Sequence, residues 1–153
     1  ARRAGVRLVL AAAKNDYYAN VIAPMVDGQQ VVYAGEVDLA QKVTLLGGAR
    51  ALLYPMQASE PFGLVMAEAM ACGTPVAAFR CGAVDELVDG GITGGIFDSL
   101  DALVDGLPLV LALDRSIVRN RAVERFGPDR MVVSHVEVYS RLVTERQRAE
   151  RST

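Results

Sequence analysis

Short apolar segments alternate with helical patterns along most of this chain, and that alternation limits the fold more than any other feature. Residues 7–12 and 75–79 are apolar almost without interruption, which is typical of strands that are covered on both faces. The stretches between such segments carry apolar residues at helical spacing. Strands and helices in this order predict βαβ units around a parallel sheet. We therefore expect one α/β domain of the doubly wound kind.

The predicted strands and helices place the loops where a ligand would bind. Five strands are expected, at residues 7–12, 30–34, 51–54, 75–79 and 95–97. The expected helices are residues 16–26, 39–47, 62–72, 83–88, 100–113 with an interruption at Gly106 and Pro108, 115–125 and 129–150. Ligands of doubly wound domains bind at the carboxyl ends of the strands. The loops of interest are therefore residues 13–15, 35–38, 55–61, 80–83 and 98–99.

The length and composition of the chain favour a single soluble domain and argue against several classes of protein. Its 153 residues are close to the usual size of one domain. The net charge of −2 gives no reason to expect nucleic acid as a partner. No apolar run approaches the roughly 20 residues of a membrane span, and residues 1–10 do not form a signal peptide. We expect a cytoplasmic protein in which Cys72 and Cys81 are free thiols, with a redox pair as the alternative.

The segment that carries the chemistry runs from Tyr54 to Phe79 and reads YPMQASEPFGLVMAEAMACGTPVAAF. A strand ends near Tyr54, and Pro61 suits the first turn of the helix that follows the loop. We expect residues 62–64 to present free backbone N–H groups at the start of that helix, and Gly63 to let a ligand approach them closely. Such a helix end binds anions, and a sugar diphosphate is a suitable occupant.

Two acidic residues, Glu60 and Glu68, lie eight positions apart around this helix end. Glu60 is either a first-turn acid that favours the helix dipole or a group that contacts a ligand. Glu68 lies either on a solvated helix face or in a ligand site. The helix is otherwise apolar almost all round, and a buried acid needs partners. Ribose hydroxyls could be those partners, and the residues alone leave both alternatives open.

The same segment resembles the donor-site motif of a large family of retaining glycosyltransferases of the GT-B fold. This family, glycosyl transferases group 1, includes the sucrose and glycogen synthases. Its motif is a Glu, seven residues and a second Glu, with Phe-Gly after the first acid and an apolar helix and Pro-Val strand behind. The matching residues here are Glu60, Phe62-Gly63, Glu68-Ala69-Met70-Ala71, Gly73 and Pro75-Val76.

Other segments resemble the family in the same order and at similar spacing. They are residues 32–37, 80–88 and 90–95, Arg125-Phe126, Met131 and Tyr139. The resemblance therefore spans nearly the whole chain, but only as the C-terminal half of such an enzyme. It implies a Rossmann-like, three-layer α/β domain with a parallel sheet of about five to six strands, one half of a GT-B fold. A strand that starts soon after Ala1, which is not a methionine, agrees with a piece of a longer protein, although processing could also remove a start methionine.

The resemblance implies roles for the residues at the sugar and diphosphate. Glu60, the candidate catalytic residue, would contact hydroxyls of the donor sugar, and it is not assigned as a covalent nucleophile. The backbone of Phe62, Gly63 and Leu64 would hold the sugar and the diphosphate. The Val65 N–H would lie nearby.

At the nucleotide end, the resemblance implies that Glu68 binds the ribose hydroxyls. The turn at Gly35 would lie beside the base, and Val37 would contact the base through its backbone. One departure lies after the first strand, where the family usually has a glycine-rich turn and this chain has Ala11-Ala12-Ala13-Lys14. Lys14 is then either a cation near the donor or a solvated loop lysine.

The implied reaction moves a sugar from a UDP-, GDP- or ADP-type donor to an acceptor hydroxyl, with retention at the anomeric carbon. No cofactor or essential metal is implied, and the sequence contains no Asp-x-Asp pair. The alternatives are an epimerase-like protein of the same fold and a non-catalytic nucleotide-binding module.

The implied partner is the N-terminal domain of the same enzyme, which would supply the acceptor site. The Arg and Lys that usually clamp the diphosphate would also precede this sequence. The last helix of the fold often crosses back to the first domain, and its apolar residues Val132, Val136, Tyr139 and Val143 would then contact that half. Any membrane contact would come through the other half as well.

Overall fold

All strand pairs among the described residues are parallel, as the alternation of strands and helices predicts. The computed structural model describes residues 1–58 and 61–151. Its strands are β1 (Leu8–Ala11), β2 (Val31–Gly35), β3 (Leu52–Tyr54), β4 (Val76–Phe79) and β5 (Gly94–Phe97). β1 pairs with β2, and a second sheet has the order β3-β4-β5. The five strands thus form a two-stranded and a three-stranded parallel sheet rather than one continuous sheet.

Six helices connect and follow these strands in the described part of the chain. They are α1 (Leu39–Gly48), α2 (Leu64–Ala71), α3 (Val84–Leu87), α4 (Leu100–Leu111), α5 (Arg115–Phe126) and α6 (Pro128–Arg151). None of the described helices is long and apolar enough to cross a membrane.

The three-stranded sheet lies between two layers of helices, and its central strand shows this most clearly. Val76 and Ala78 of β4 belong to a core that also contains side chains of α2, α3 and α5. Ala77, between them in sequence, packs on the other face with residues of α4, among them Leu103 and Leu107. Because side chains alternate across a strand, full burial of all three residues requires cover on both faces. The predicted three-layer α/β class is therefore confirmed.

The segment expected as a helix over residues 16–26 is helical through residue 25, but it is not a regular α-helix. The chain there forms a π-helical turn, Tyr18–Ile22, followed by a 3₁₀ turn, Ala23–Met25. Pro24 has no N–H to donate to an earlier carbonyl, which disfavours a regular α-helix at this position. It occupies the start of the 3₁₀ turn instead, and Val26 is already extended.

The break expected at Gly106 and Pro108 is also absent, since α4 continues through both residues. Gly106 serves packing here, because a Cβ at that position would lie 2.3 Å from the Phe97 ring. Pro108 is exposed and removes one helical hydrogen bond. Leu107 and Val110 are buried on either side of it and hold the helix against the sheet.

The final helix, α6, follows α5 after Gly127 and has contacts with it. The side chains of Val132, Val136, Tyr139 and Val143 are all more than half exposed. These four residues recur at intervals of four, three and four positions, so they form one apolar stripe along the helix. The stripe is not covered by the rest of the described chain.

Candidate functional site

The loops after β1 and β2 are joined to each other at the carboxyl edge of their sheet. β2 ends at Gly35, whose φ of +84° lies in the left-handed region that favours glycine. The Ala12 N–H donates a hydrogen bond to the Gly35 carbonyl at 3.1 Å. The predicted base-binding turn at Gly35 is therefore fixed directly beside the segment that follows β1.

The turn continues through the half-buried Val37 into a capped helix. The Gln41 N–H donates to the Asp38 side chain at 2.8 Å, and the Asp38 N–H donates to the Gln41 side chain at 2.9 Å. This reciprocal pair is a capping box, which satisfies backbone donors at the start of α1. The backbone around Val37 is thus held between a strand end and a capped helix.

The helix that follows β3 begins at Leu64, two residues later than expected. Gly63 caps it with a φ of +82°, which is incompatible with the first helical turn. Phe62 and Gly63 therefore precede α2, and Pro61 does not lie in its first turn. The free helical donors expected at Phe62 and Gly63 are displaced to Leu64 and Val65.

This helix end has the chemistry of an anion site. The Leu64 and Val65 N–H groups belong to the first turn, where an α-helix has no internal acceptors, whereas the Met66 N–H already donates to the Gly63 carbonyl at 2.9 Å. Gly63, which caps this helix end, is buried and has no side chain. The partial positive charge of the helix end favours a negatively charged ligand.

Phe62 lies in front of the same helix end and reaches toward the C-terminal part of the domain. Its ring packs edge-on against Phe126, with 6.3 Å between centroids. Phe62 is still 42% exposed. The contact positions the segment before Gly63 and leaves part of Phe62 exposed.

Glu68 lies one helical turn beyond this end and forms an ion pair. The Lys42 Nζ of α1 donates to the Glu68 Oε1 at 2.6 Å. The exposed fractions of the two side chains are 34% for Lys42 and 38% for Glu68. The carboxylate therefore remains open to solvent and to a ligand.

Glu68 is not buried, so the argument for ligand partners from its burial does not hold. α2 has an exposed side, on which Leu64 is 69% exposed, and Glu68 is only partly covered. The sequence reasoning also missed Lys42, which is 26 positions away and carries no local signal of the pairing. The pair connects α1, which begins just after Val37, with α2, which begins just after Gly63.

Glu60, the predicted sugar-contacting acid, lies outside the described residues. Its immediate neighbour Pro61 is exposed, three positions before α2.

Arg80 and Asp98 line an open cavity of about 420 Å³ at the carboxyl ends of β3, β4 and β5. The Arg80 guanidinium donates to Asp98 at 2.9 Å and also pairs with Asp85. These hydrogen bonds, that to Asp85 foremost, raise the pKa of Arg80 above its ordinary value. With its charge shared between two carboxylates, Arg80 orders the loops after β4 and β5.

Neither metal ligation nor disulfide chemistry is favoured by the described residues. No group of three or more His, Cys, Asp or Glu side chains converges among them. Cys72 and Cys81 are both free thiols, as expected. The chemistry of the described edge therefore consists of backbone donors, carboxylates such as that of Glu68, and a small number of cations.

Curated relatives match part of this chain. A D-inositol 3-phosphate glycosyltransferase of Xylanimonas cellulosilytica is 37% identical over 95 residues, which is 58% of this chain and 23% of the relative. A phosphatidyl-myo-inositol mannosyltransferase of Mycobacterium leprae is 32% identical over 95 residues, 62% of this chain and 25% of the relative. The chain thus spans about a quarter of the length of these relatives.

Solved structures resemble nearly the whole chain. AviGT4, a glycosyltransferase involved in avilamycin A biosynthesis, is 30% identical with a TM-score of 0.76, and the match covers 94% of this chain and 45% of AviGT4. Anabaena Alr3699/HepE, solved in complex with UDP, is 22% identical with a TM-score of 0.69, over 91% of this chain and 41% of that protein. The second likeness supports the fold alone.

The family model for glycosyl transferases group 1 matches residues 1–112. These residues include all five strands and the helix end at Leu64. The match covers more than half of the chain, so this protein belongs to the glycosyl transferases group 1 family.

Proposed function

We propose that this chain is the donor-binding, C-terminal half of a two-domain retaining glycosyltransferase. With an N-terminal domain that supplies the acceptor site, it would transfer a sugar from a nucleoside diphosphate to an acceptor hydroxyl in the cytoplasm. The observation that carries the proposal is the pairing of an anion-binding helix end at Gly63 with an accessible carboxylate, Glu68, one turn further along the same helix.

The helix end would hold the diphosphate and the sugar. The Leu64 and Val65 N–H groups, together with the backbone of Phe62 and Gly63, point to phosphate oxygens as acceptors. The helix dipole contributes only about 0.3–1 kcal/mol per charge, so the directed hydrogen bonds supply most of the selectivity. Glu60 would contact hydroxyls of the donor sugar.

The nucleoside would extend from this helix end toward the other sheet. Glu68 would accept hydrogen bonds from ribose hydroxyls, since its carboxylate is solvent-accessible and is held by Lys42. The base would lie at the turn formed by Gly35 and Val37, which precedes α1. The ion pair between Glu68 and Lys42 connects α2, which begins at the proposed diphosphate site, with α1, which follows the proposed base site.

Transfer would proceed without an essential metal. Negative charge develops on the departing diphosphate, and donors that are aimed at it before reaction stabilise that charge. The Leu64 and Val65 N–H groups would supply part of this stabilisation, and cations from the other half of the enzyme would supply the rest. Retention at the anomeric carbon rests on the family resemblance.

Transfer assays on the intact enzyme test this proposal. Proton NMR of the first-formed product should show the anomeric configuration of the donor, and excess EDTA should leave the rate unchanged. An inverted product would contradict the retaining assignment, and strict metal dependence would contradict the charge argument. Tight nucleotide binding without any transfer would instead support a non-catalytic binding module.

A further inference from the structure

Lys14, at the carboxyl end of β1, lies against two aromatic rings. Its Nζ is 5.6 Å from the ring centroid of Tyr18 and 5.5 Å from that of Tyr33. The two rings themselves contact each other, with centroids 4.4 Å apart. Both distances to Lys14 lie within the range of a cation–π interaction. Lys14 is therefore held at a defined place rather than extending freely from a loop.

The backbone around this cluster is also fixed. The Tyr33 hydroxyl donates to the Ala12 carbonyl at 2.6 Å. The Tyr18 N–H donates to the Asn15 side chain at 2.8 Å. These bonds tie both ends of the short segment that carries Lys14, so ordering its side chain on a ligand would cost little conformational entropy.

The charge of Lys14 is not neutralised within the described part of the chain. No carboxylate there forms an ion pair with it, whereas Lys42, the other lysine, pairs with Glu68. Contact with a ring face leaves the N–H donors of an ammonium group free to bind another acceptor. Lys14 is thus an exposed, oriented cation whose ammonium group can donate hydrogen bonds but cannot accept them.

The position of Lys14 favours the base rather than the diphosphate. It follows β1, and the Ala12 N–H binds the carbonyl of Gly35 in the turn that the proposed function assigns to the base. The proposed diphosphate site follows β3, which belongs to the other sheet. Lys14 therefore follows a strand of the sheet that carries the proposed base turn, and not a strand of the sheet that precedes the proposed diphosphate site.

We infer that Lys14, oriented by Tyr18 and Tyr33, is a specificity-determining residue that selects a donor whose base carries a carbonyl oxygen. This inference rests on the proposed function of the site. Guanine and uracil offer carbonyl acceptors to an ammonium group, whereas adenine presents an amino group at the corresponding edge. A site that is built to hydrogen-bond a substrate group discriminates against analogues that lack it.

The test compares GDP, UDP and ADP binding to the intact protein by titration calorimetry. Lys14→Met keeps the length of the side chain and removes its charge, and Lys14→Arg keeps the charge. Arg50→Met is the matched control, because Arg50 is an exposed cation that precedes β3 and lies at the opposite, amino end of the strands. Wild-type protein should prefer GDP or UDP to ADP.

Lys14→Met should weaken binding of the preferred nucleotide by about 10-fold or more, the range for one charged hydrogen bond. It should change ADP binding by less than about twofold, and Lys14→Arg should retain most of the preference. The ADP arm uses the same variant protein, so misfolding cannot imitate a base-selective loss. Equal losses for all three nucleotides, no loss, or a wild-type preference for ADP would overturn the inference while leaving the proposed function intact. Wild-type protein that binds none of the three would refute the proposed function itself.

Discussion

Replacing Glu68 with alanine should weaken nucleotide binding strongly and change the stability of the fold only slightly. Two separate interactions of the carboxylate are removed at once. One is its proposed contact with the ribose hydroxyls, and the other is its ion pair with Lys42 at 2.6 Å. The magnitudes of the two losses differ enough to be measured apart.

The ion pair should contribute little, because both side chains are about one-third exposed and pairs of this kind contribute about 0–1 kcal/mol to folding. A hydrogen bond from a ribose hydroxyl to a carboxylate contributes about 1.5–3 kcal/mol, which corresponds to a roughly 10- to 150-fold change in dissociation constant. Lys42→Met removes the same ion pair from its other end. It should therefore match the small stability change of Glu68→Ala, measured by denaturant unfolding.

The decisive assay compares ribose and 2′,3′-dideoxyribose forms of the nucleoside diphosphate that wild-type protein binds best. If Glu68 contacts the ribose hydroxyls, Glu68→Ala should weaken binding of the ribose form and leave the dideoxy form nearly unchanged. An equal loss for both forms would refute a hydroxyl contact and leave only a general electrostatic or structural role. Unchanged binding of both forms would remove Glu68 from the site.

Three further outcomes are expected. Glu60→Ala should mainly lower kcat of the intact enzyme, because a sugar contact can strengthen as the anomeric bond breaks; unchanged steady-state kinetics would exclude it. Arg115→Met should lower the free energy of unfolding by about 1–3 kcal/mol in urea titrations. The reason is that the Arg115 guanidinium donates to carbonyls at the end of α1, among them that of Ala49 at 2.5 Å. An unchanged midpoint of urea unfolding would contradict this. Asp27→Ala should lower the Tm at neutral pH, because backbone hydrogen bonds, that from Val31 foremost, hold the pKa of Asp27 below its ordinary 3.8. A carboxylate whose pKa is lowered by folding stabilises the folded state at pH values above its unfolded pKa, and this contribution is lost as the pH falls through its folded pKa. The difference in Tm between wild-type protein and Asp27→Ala should therefore become smaller in acid. A difference that stays constant with pH would refute the assignment.

Most of the fold follows from patterns that are local in the sequence. The buried strand β4 is a continuous apolar run, and only a sheet covered on both faces requires one. One error concerns a residue whose effect depends on a distant contact, and another concerns a local effect of proline. Gly106 signals a helix break by itself, yet its missing side chain makes room for the Phe97 ring. Pro24 acts locally, because its missing N–H disfavours the expected α-helix, and the segment forms a π-helical turn and a 3₁₀ turn instead.

The motif in the sequence locates the candidate site but does not predict its geometry. The spacing of Gly63 and Glu68 placed both on one helix end, which the structure contains, two residues later than expected. Lys42 could not be connected with Glu68, because pairing between α1 and α2 depends on how two separate helices pack. The sequence does not decide whether Lys14 contacts the donor or is a solvated loop lysine. In the structure, the rings of Tyr18 and Tyr33 define where its charge lies.

The central claim is that a nucleoside diphosphate binds across the carboxyl edge formed by α2 and the end of β2. An NMR titration of the ¹⁵N-labelled chain tests it most directly, since each backbone amide reports separately. Addition of the diphosphate should shift the amides of Gly35, Val37, Leu64 and Val65 together, with a dissociation constant on the order of 0.1–1 mM, and the nucleoside alone should bind more weakly. Equal binding of nucleoside and diphosphate, or shifts confined to other surfaces such as α6, would contradict the account.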